Sequence, residues 1–198
     1  MGKSIPATGA VGASLVELVL VLALVGTGAG TALPFAARSI DAGRARQAAA
    51  YVAAEFRRAR QQAAARTRSV AIVFDAAGST WTFRLCADGN GNGVRRAELL
   101  SGTDPCFEGP YDLTALFPGV AIAIDPTLPS PDGGPGKNDP VQLGTSNLAS
   151  FSANGTSSSG TVFVRSAGGE QYGVRVAGTT TRTRVVYFDT GGHRWVDR

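Results

Sequence analysis

The sequence predicts an α+β protein in which one long N-terminal helix precedes a series of antiparallel β-strands. Residues 13–37 are almost entirely apolar, and residues 38–68 are rich in Ala, Gln and Arg, with apolar side chains three and four positions apart. In residues 69–198, short segments of alternating apolar and polar residues follow one another. Strands at such short spacing pair antiparallel, because parallel pairs need long crossover connections.

The composition limits the functions that the chain can have. It contains 198 residues, of which 43% are hydrophobic and 17% charged, and its formal net charge is +4. A charge of this size does not by itself indicate nucleic-acid binding. With 1 His and 2 Cys, the chain offers little material for a His-rich metal site or a Ser-His-Asp triad. We therefore expect that it is not an enzyme and carries no cofactor.

The apolar segment 13–37 contains a single charged residue, Glu17. As a helix it extends about 37 Å, which exceeds the hydrocarbon core of a bilayer at about 30 Å. We predict a transmembrane or filament-core helix here, with a plain signal anchor as the alternative. The segment is longer than a secretory h-region, and a carboxylate in lipid costs about 2.5–3.5 kcal/mol, so Glu17 should have a partner or a function.

Residues 12–18, with the sequence GASLVEL, resemble the class III leader junction of type IV pilins and type II secretion pseudopilins. The resemblance implies that residues 1–12 are a leader peptide, which a prepilin peptidase removes after Gly12 before it methylates the new amino terminus of Ala13. Glu17 is then the fifth mature residue, as in that family. Ala13 departs from the family pattern, in which Phe or Met is commoner.

Two residues of the segment are expected to act in assembly. Cleavage exposes an α-ammonium in apolar surroundings, where Glu17 of a neighbouring subunit can neutralise it and set the axial register of a filament. Pro34 lies where many pilins carry a helix-kinking proline. Because proline and glycine weaken a helix, we predict a breakpoint near Pro34.

Residues 38–68 predict the amphipathic second half of the helix, which lies under a β-rich head formed by residues 69–198. Its polar face carries mainly arginines: Arg44, Arg46, Arg57, Arg58, Arg60, Arg66 and Arg68. This run of charge has three alternative explanations. The face is solvated, it contacts an acidic partner subunit, or it binds the phosphates of DNA.

Alternation of apolar and polar residues predicts the strands of the head. They cover residues 69–75, 79–86, 119–125, 160–166, 171–177, 182–188 and 193–197. The Pro- and Gly-rich residues 126–143 predict an exposed loop. We expect the strands to form antiparallel sheets that wrap the second half of the helix.

The order of helix, hairpin, long loops and C-terminal strands resembles the H-type minor pseudopilins and FimT-type minor pilins. The matching residues are 57–74, 88–96, 151–155 and 182–185. The resemblance implies a pilin-like fold and a structural subunit of a type II secretion pseudopilus or a type IV pilus, assembled near the filament tip. It further implies a single pass through the bacterial inner membrane with the head in the periplasm. The implied partners are other pseudopilins or minor pilins, the prepilin peptidase and the inner-membrane assembly platform.

Cys86 and Cys106 flank a turn-rich excursion of the chain. A head outside the cytoplasm lies where disulfides persist, so we predict a bridge between them, with two buried thiols as the alternative. Within the excursion, Asp88, Asn90 and Asn92 match the first half of a calcium loop. The twelfth position of that loop is Leu99 instead of Glu, and Asp-Gly and Asn-Gly are also ordinary turn formers, so a plain turn is the alternative.

Three arginines near the C-terminus form a candidate DNA-binding patch. Arg182 and Arg184 are two apart on a predicted strand and should project to one face, and Arg175 on the preceding strand can join them. In FimT-type pilins a basic C-terminal segment of similar placement is associated with DNA capture. The resemblance therefore offers an alternative function, a DNA-binding minor pilin for natural transformation. Exposed strand arginines near Asp189 or Asp197 are the simpler explanation.

Overall fold

The computed structural model describes residues 14–198, and for residues 26–37 it describes only the secondary structure. The predicted leader, 1–12, and the cleavage junction between Gly12 and Ala13 lie outside the described residues. The chain divides into two compact units, Met1–Ser39 and Ile40–Arg198, which are considered separately.

In the first unit the described residues belong to the helix α1 (Leu15–Arg66), which continues into the second unit. Pro34 lies inside the helix, so it does not end the element. The predicted apolar segment 13–37 lies partly outside the described residues. Within the part of the chain that the structure describes, no helix carries an apolar stretch long enough to cross a membrane.

Helix α1 ends two residues before the predicted limit of residue 68, because Thr67 adopts the left-handed conformation with φ of 54°. The N–H groups of Thr67 and Arg68 then donate to the carbonyls of Ala64 and Ala63, at 3.3 and 3.2 Å. This pair of hydrogen bonds is the Schellman motif, which satisfies carbonyls that the helix leaves free. The chain therefore turns directly into the first strand.

Ten strands and two short helices follow α1. They are β1 (Val70–Ala77), β2 (Thr80–Ala87), α2 (Arg96–Ser101), β3 (Cys106–Asp112), α3 (Leu113–Leu116), β4 (Val120–Ile122), β5 (Val141–Gln142), β6 (Leu148–Phe151), β7 (Gly160–Ser166), β8 (Gln171–Val176), β9 (Thr183–Asp189) and β10 (Arg194–Asp197). One sheet has the order β3-β2-β1-β6, and the other has the order β10-β9-β8-β7-β4, with β5 also paired to β7. All of these pairs are antiparallel, so the predicted α+β class is confirmed.

The core of the second unit lies between the sheets and the second half of α1. The helix contributes buried residues spaced three and four apart: Ala45, Ala48, Ala49, Val52, Ala53, Phe56, Ala59 and Ala63. They belong to one cluster with residues from both sheets, such as Phe74 and Val174. This arrangement confirms that antiparallel sheets wrap the second half of the helix.

The outer face of the larger sheet is covered by the segment after β4. Side chains alternate across a strand, so Phe163 points away from the core residues Val162 and Val164, yet it is fully buried. Its ring packs against Trp195 with 5.6 Å between centroids. The indole of Trp195 donates to the carbonyl of Pro129 at 2.7 Å. Residues 126–143, which were predicted to form an exposed loop, are thus anchored across this face, and the prediction is wrong for their last part, which forms β5 with Val141 fully buried.

Candidate functional site

A polar groove of about 880 Å³ lies on the outer face of the larger sheet. It is lined by Asp132, Thr156, Ser157, Ser159, Gly160, Thr161, Arg175, Val176, Ala177, Gly178, Thr179, Arg182, Arg184 and Asp197. All three arginines of the predicted patch are therefore at one site. The lining combines hydroxyl groups, charged side chains and backbone with apolar surface.

The sheet register explains why two of these arginines meet. Arg175 on β8 is the direct antiparallel partner of Arg184 on β9. The Cβ atoms of such partners are about 4.5–5.5 Å apart on the same face. Arg182 differs from the prediction, because β9 begins one residue later, at Thr183. Its exposed side chain still lines the groove, and it forms no salt bridge among the described residues.

Each paired arginine faces an aspartate from another part of the chain. Arg175 forms a salt bridge with Asp132 of the loop after β4, and Arg184 forms one with Asp197 of β10 at 3.0 Å. Asp197 is one of the two acids that the sequence suggested, whereas Asp132 was missed. Its position in an irregular Pro- and Gly-rich loop offers no periodicity that would locate it. Chemically, the groove presents hydrogen-bond donors and positive charge to an anion.

No family model, curated protein or solved structure matches the chain. Besides the groove, the sequence predicts three candidate sites: the cysteine pair, the candidate calcium loop and the arginine face of residues 38–68.

Cys86 and Cys106 form a disulfide, as predicted. They are register partners at the end of the β2–β3 pair. The bridge closes a loop that is independently organised by two acidic side chains. The carboxylate of Asp88 accepts backbone N–H groups within the loop, and that of Asp104 accepts those of Gly89 and Arg95 at 3.0 and 2.9 Å.

The candidate calcium ligands take part in turn hydrogen bonds. The Asp88 carboxylate accepts the N–H groups of Asn90, Gly91 and Gly93 at 3.1, 2.7 and 2.8 Å, and the Asn90 side chain accepts that of Asn92 at 3.2 Å. Burial opposes ionisation, but these hydrogen bonds outweigh it and hold the pKa of the Asp88 carboxyl below its usual value. The geometry is that of the plain turn. Among residues 14–198, no group of three or more His, Cys, Asp or Glu is placed to hold a metal.

Several arginines of residues 38–68 hold the head together, a role that none of the three sequence alternatives included. Arg58 donates two hydrogen bonds to Glu108 of β3 at 2.7 and 2.5 Å. The guanidinium of Arg66 lies 4.0 Å above the ring of Phe107, and Arg68 donates to the carbonyl of Gly89 at 2.9 Å. These arginines fix α1 against β3 and the loop that the disulfide closes. For Arg46, Arg57 and Arg60, which are exposed, the alternatives stay open.

Glu55 is the one acid of α1 that packs into the head. It is buried, its nearest cation is the guanidinium of Arg58 at 3.6 Å, and its Oε2 has no hydrogen-bond partner among the described residues. Burial raises the pKa of the Glu55 carboxyl, Glu108 raises it further, and Arg58 lowers it in part. The charged form is therefore less favourable in the folded chain than in the unfolded chain.

This shift predicts how stability depends on pH. Because the folded pKa of Glu55 is raised, the contribution of this carboxyl to stability should increase as pH falls through its folded pKa towards its unfolded value. Glu55→Gln removes the buried charge and is expected to raise the free energy of unfolding at pH 7–8 by about 1 kcal/mol, with the gain shrinking at lower pH. Urea unfolding of the full chain in detergent across this pH range measures it. The matched control is Glu170→Gln at an exposed turn, and a lower stability of Glu55→Gln at pH 8 would contradict the prediction.

Proposed function

We propose that the chain is a minor pseudopilin or minor pilin, a structural subunit of a type II secretion pseudopilus or a type IV pilus. In this proposal the prepilin peptidase cleaves it after Gly12, and it joins other subunits near the filament tip. The observation that carries the proposal is the start of α1. Glu17 is the only charge in an exposed apolar stretch and follows the Gly12 junction by five positions.

The described start of α1 supports an apolar environment for this segment. Large apolar side chains between Leu15 and Val25 are 50–78% exposed. Exposed apolar surface of this kind marks a contact with protein or membrane. A bilayer covers this apolar surface before assembly, and the helices of neighbouring subunits cover it in a filament. We propose that residues 13–37 form both the membrane-spanning and the filament-core segment.

Glu17 fits a role in subunit register. It lies in the first turn of α1, where the helix dipole favours a negative charge. After cleavage, the amino terminus of Ala13 is an ammonium group in the same apolar region. An ammonium and a carboxylate from adjacent subunits neutralise each other, whereas either alone is expensive to bury. The most favourable axial position of a subunit is then the one at which these charges meet.

The head supports the same proposal. Two antiparallel sheets enclose the second half of α1, and a disulfide closes the loop after β2. Disulfides persist in oxidising compartments, which agrees with a head in the periplasm. The proposed location is the bacterial inner membrane with a single pass, followed by extraction into a filament. The proposed partners are other pilin-like subunits, the prepilin peptidase and the assembly platform.

The DNA-binding minor pilin remains the alternative function. Arg175, Arg182 and Arg184 share one groove, which favours an anionic ligand. Two aspartates also line it, and no aromatic residue does. Single-stranded DNA is usually bound by basic grooves whose aromatic side chains stack on the bases. The groove therefore lacks the stacking surface of a single-stranded DNA site, and its two aspartates offset most of the positive charge that the phosphates of duplex DNA require.

Glu17→Ala is expected to abolish assembly while leaving membrane insertion intact. The variant leaves the neighbour's ammonium group buried without a partner, which costs about 3–5 kcal/mol, or roughly a hundredfold or more in incorporation. The measurement compares variant and wild-type chains in a cell that carries the assembly machine. It quantifies the subunit in membranes and in sheared filaments, and mass spectrometry identifies the amino terminus.

The matched control is Asp41→Ala, which removes an acid from the second unit of the chain. It should enter filaments at the wild-type level. The wild-type chain should begin at Ala13 with an N-methyl group. Efficient incorporation of Glu17→Ala, or an intact leader on the wild-type chain in the presence of the peptidase, would overturn the proposed function.

A further inference from the structure

Two arginines lie side by side in the groove, and the chain's own carboxylates offset their repulsion only weakly. Arg175 and Arg184 are direct cross-strand partners, and like charges in that position destabilise a strand pair. Each guanidinium is neutralised by a carboxylate from outside the β8–β9 hairpin. Asp132 comes from the loop after β4, and Asp197 comes from β10.

Both carboxylates are easy to displace. Their side chains are 70% and 61% exposed, and exposed ion pairs contribute only about 0–1 kcal/mol. The backbone around Asp132 is nevertheless held in place. The carbonyl of Pro129 accepts the indole N–H of Trp195, and Asp125 forms a salt bridge with Arg165 at 2.9 Å. The loop thus presents a carboxylate to Arg175 at a fixed position, as a bound ligand would.

We propose that the groove is a binding site for an acidic segment of another polypeptide, whose carboxylates replace Asp132 at Arg175 and Asp197 at Arg184. Arg182, which has no salt bridge among the described residues, adds a third cation. The inference goes beyond the proposed function and does not depend on it. Binding at the head can be measured whether or not the chain enters a filament.

The lining favours peptide carboxylates over nucleic acid. Its charged groups are three arginines and two aspartates, so its net charge of +1 (3 − 2) suits a ligand with a few carboxylates better than a polyphosphate. It has no aromatic side chain on which a base could stack. Hydroxyl groups, including those of Ser159 and Thr179, can bond the backbone of an extended peptide.

Asp132 acts as a built-in competitor in this site. A ligand carboxylate must displace it before it reaches Arg175, so neutralising Asp132 should tighten binding. A purely structural salt bridge predicts no such gain, because its loss would not help any ligand to bind. The response to Asp132→Asn therefore separates a binding site from an ordinary surface ion pair.

The test uses the full chain in detergent at low salt and a fluorescein-labelled peptide of alternating Glu and Gly, read by fluorescence anisotropy. Arg175→Gln with Arg184→Gln is expected to weaken binding about tenfold or more, because charge-assisted hydrogen bonds are lost. Asp132→Asn should tighten binding about fivefold. Arg95→Gln with Arg194→Gln, which removes two exposed arginines that do not line the groove, is the matched control and should leave binding unchanged.

Four results would overturn the proposal. The first is equal binding of a peptide with Gln in place of Glu, and the second is unchanged or weaker binding by the Asp132→Asn variant. The third is an equal loss of binding in the arginine control, which would show attraction to net charge alone. The fourth is tighter binding of DNA, single- or double-stranded, than of the acidic peptide, lost in the Arg175 and Arg184 variant. Arg182→Gln, at an exposed position outside the strands, repeats the test if the double variant fails to fold.

Discussion

Phe56→Ala is expected to lower the free energy of unfolding by about 3–5 kcal/mol, which is a large share of the stability of an ordinary domain. Phe56 is fully buried on α1, and its ring packs edge-on against Phe74 of β1 and Phe151 of β6, with centroids 6.4 and 6.0 Å apart. Truncation removes the apolar contact and leaves a cavity that the two strands cannot close without moving. Helix α1 then loses its main aromatic contact with the smaller sheet.

Urea unfolding of the full chain should show a lower midpoint with an unchanged m-value, and the thermal midpoint should fall by roughly 10 °C. Phe56→Leu keeps most of the volume and should lose only about 1 kcal/mol. The matched control, Leu100→Ala, truncates a side chain that is 89% exposed on α2 and should change stability by about 0.5 kcal/mol or less. A loss no greater for Phe56→Ala than for Leu100→Ala would show that the helix face is not the centre of the core.

The elements that local pattern specifies could be predicted from the sequence. Strand β7 (Gly160–Ser166) has the predicted bounds, since Ser and Thr residues precede it and the turn formers Gly168 and Gly169 follow it. Strand β3 (Cys106–Asp112) was missed because it contains Gly109 and Pro110 and shows no alternation. It lies at the edge of its sheet, where a proline is tolerated. Strand β6 (Leu148–Phe151) is short and depends on pairing with β1, far back in the chain.

The groove likewise contains residues that could be predicted to meet and one, Asp132, that could not. The antiparallel order of β8 and β9 was enough to bring Arg175 towards Arg184, since a hairpin whose turn is centred on residues 179 and 180 places residues 175 and 184 opposite each other. Asp132 could not be placed, because nothing in the sequence shows that an irregular loop crosses the outer face of the sheet. What holds that loop is the hydrogen bond between Trp195 and Pro129, two residues far apart in the chain. Contacts of this range follow from the folded topology and not from local propensity.

Removal of the Cys86–Cys106 bridge is expected to lower the free energy of unfolding by about 3 kcal/mol. The two cysteines are separated by 20 positions, and in the chain-entropy model the bridge acts by limiting the freedom of the unfolded chain. The native loop has a second set of restraints. Asp88 and Asp104 accept backbone N–H groups within it, and Arg68 donates to the carbonyl of Gly89.

The reduced chain should therefore be less stable globally and yet keep the loop folded. Urea unfolding with and without a thiol reductant measures the first effect, and hydrogen exchange of the Gly91 and Gly93 amides, both bonded to Asp88, measures the second. Cys86→Ala with Cys106→Ala is the control, because its unfolding should not respond to reductant. If protection of the two amides is lost while the unfolding midpoint stays constant, the bridge acts on the folded loop and the explanation through the unfolded chain is wrong. If protection survives, the carboxylate of Asp88 is what shapes the loop, and the disulfide only limits what the unfolded chain can explore.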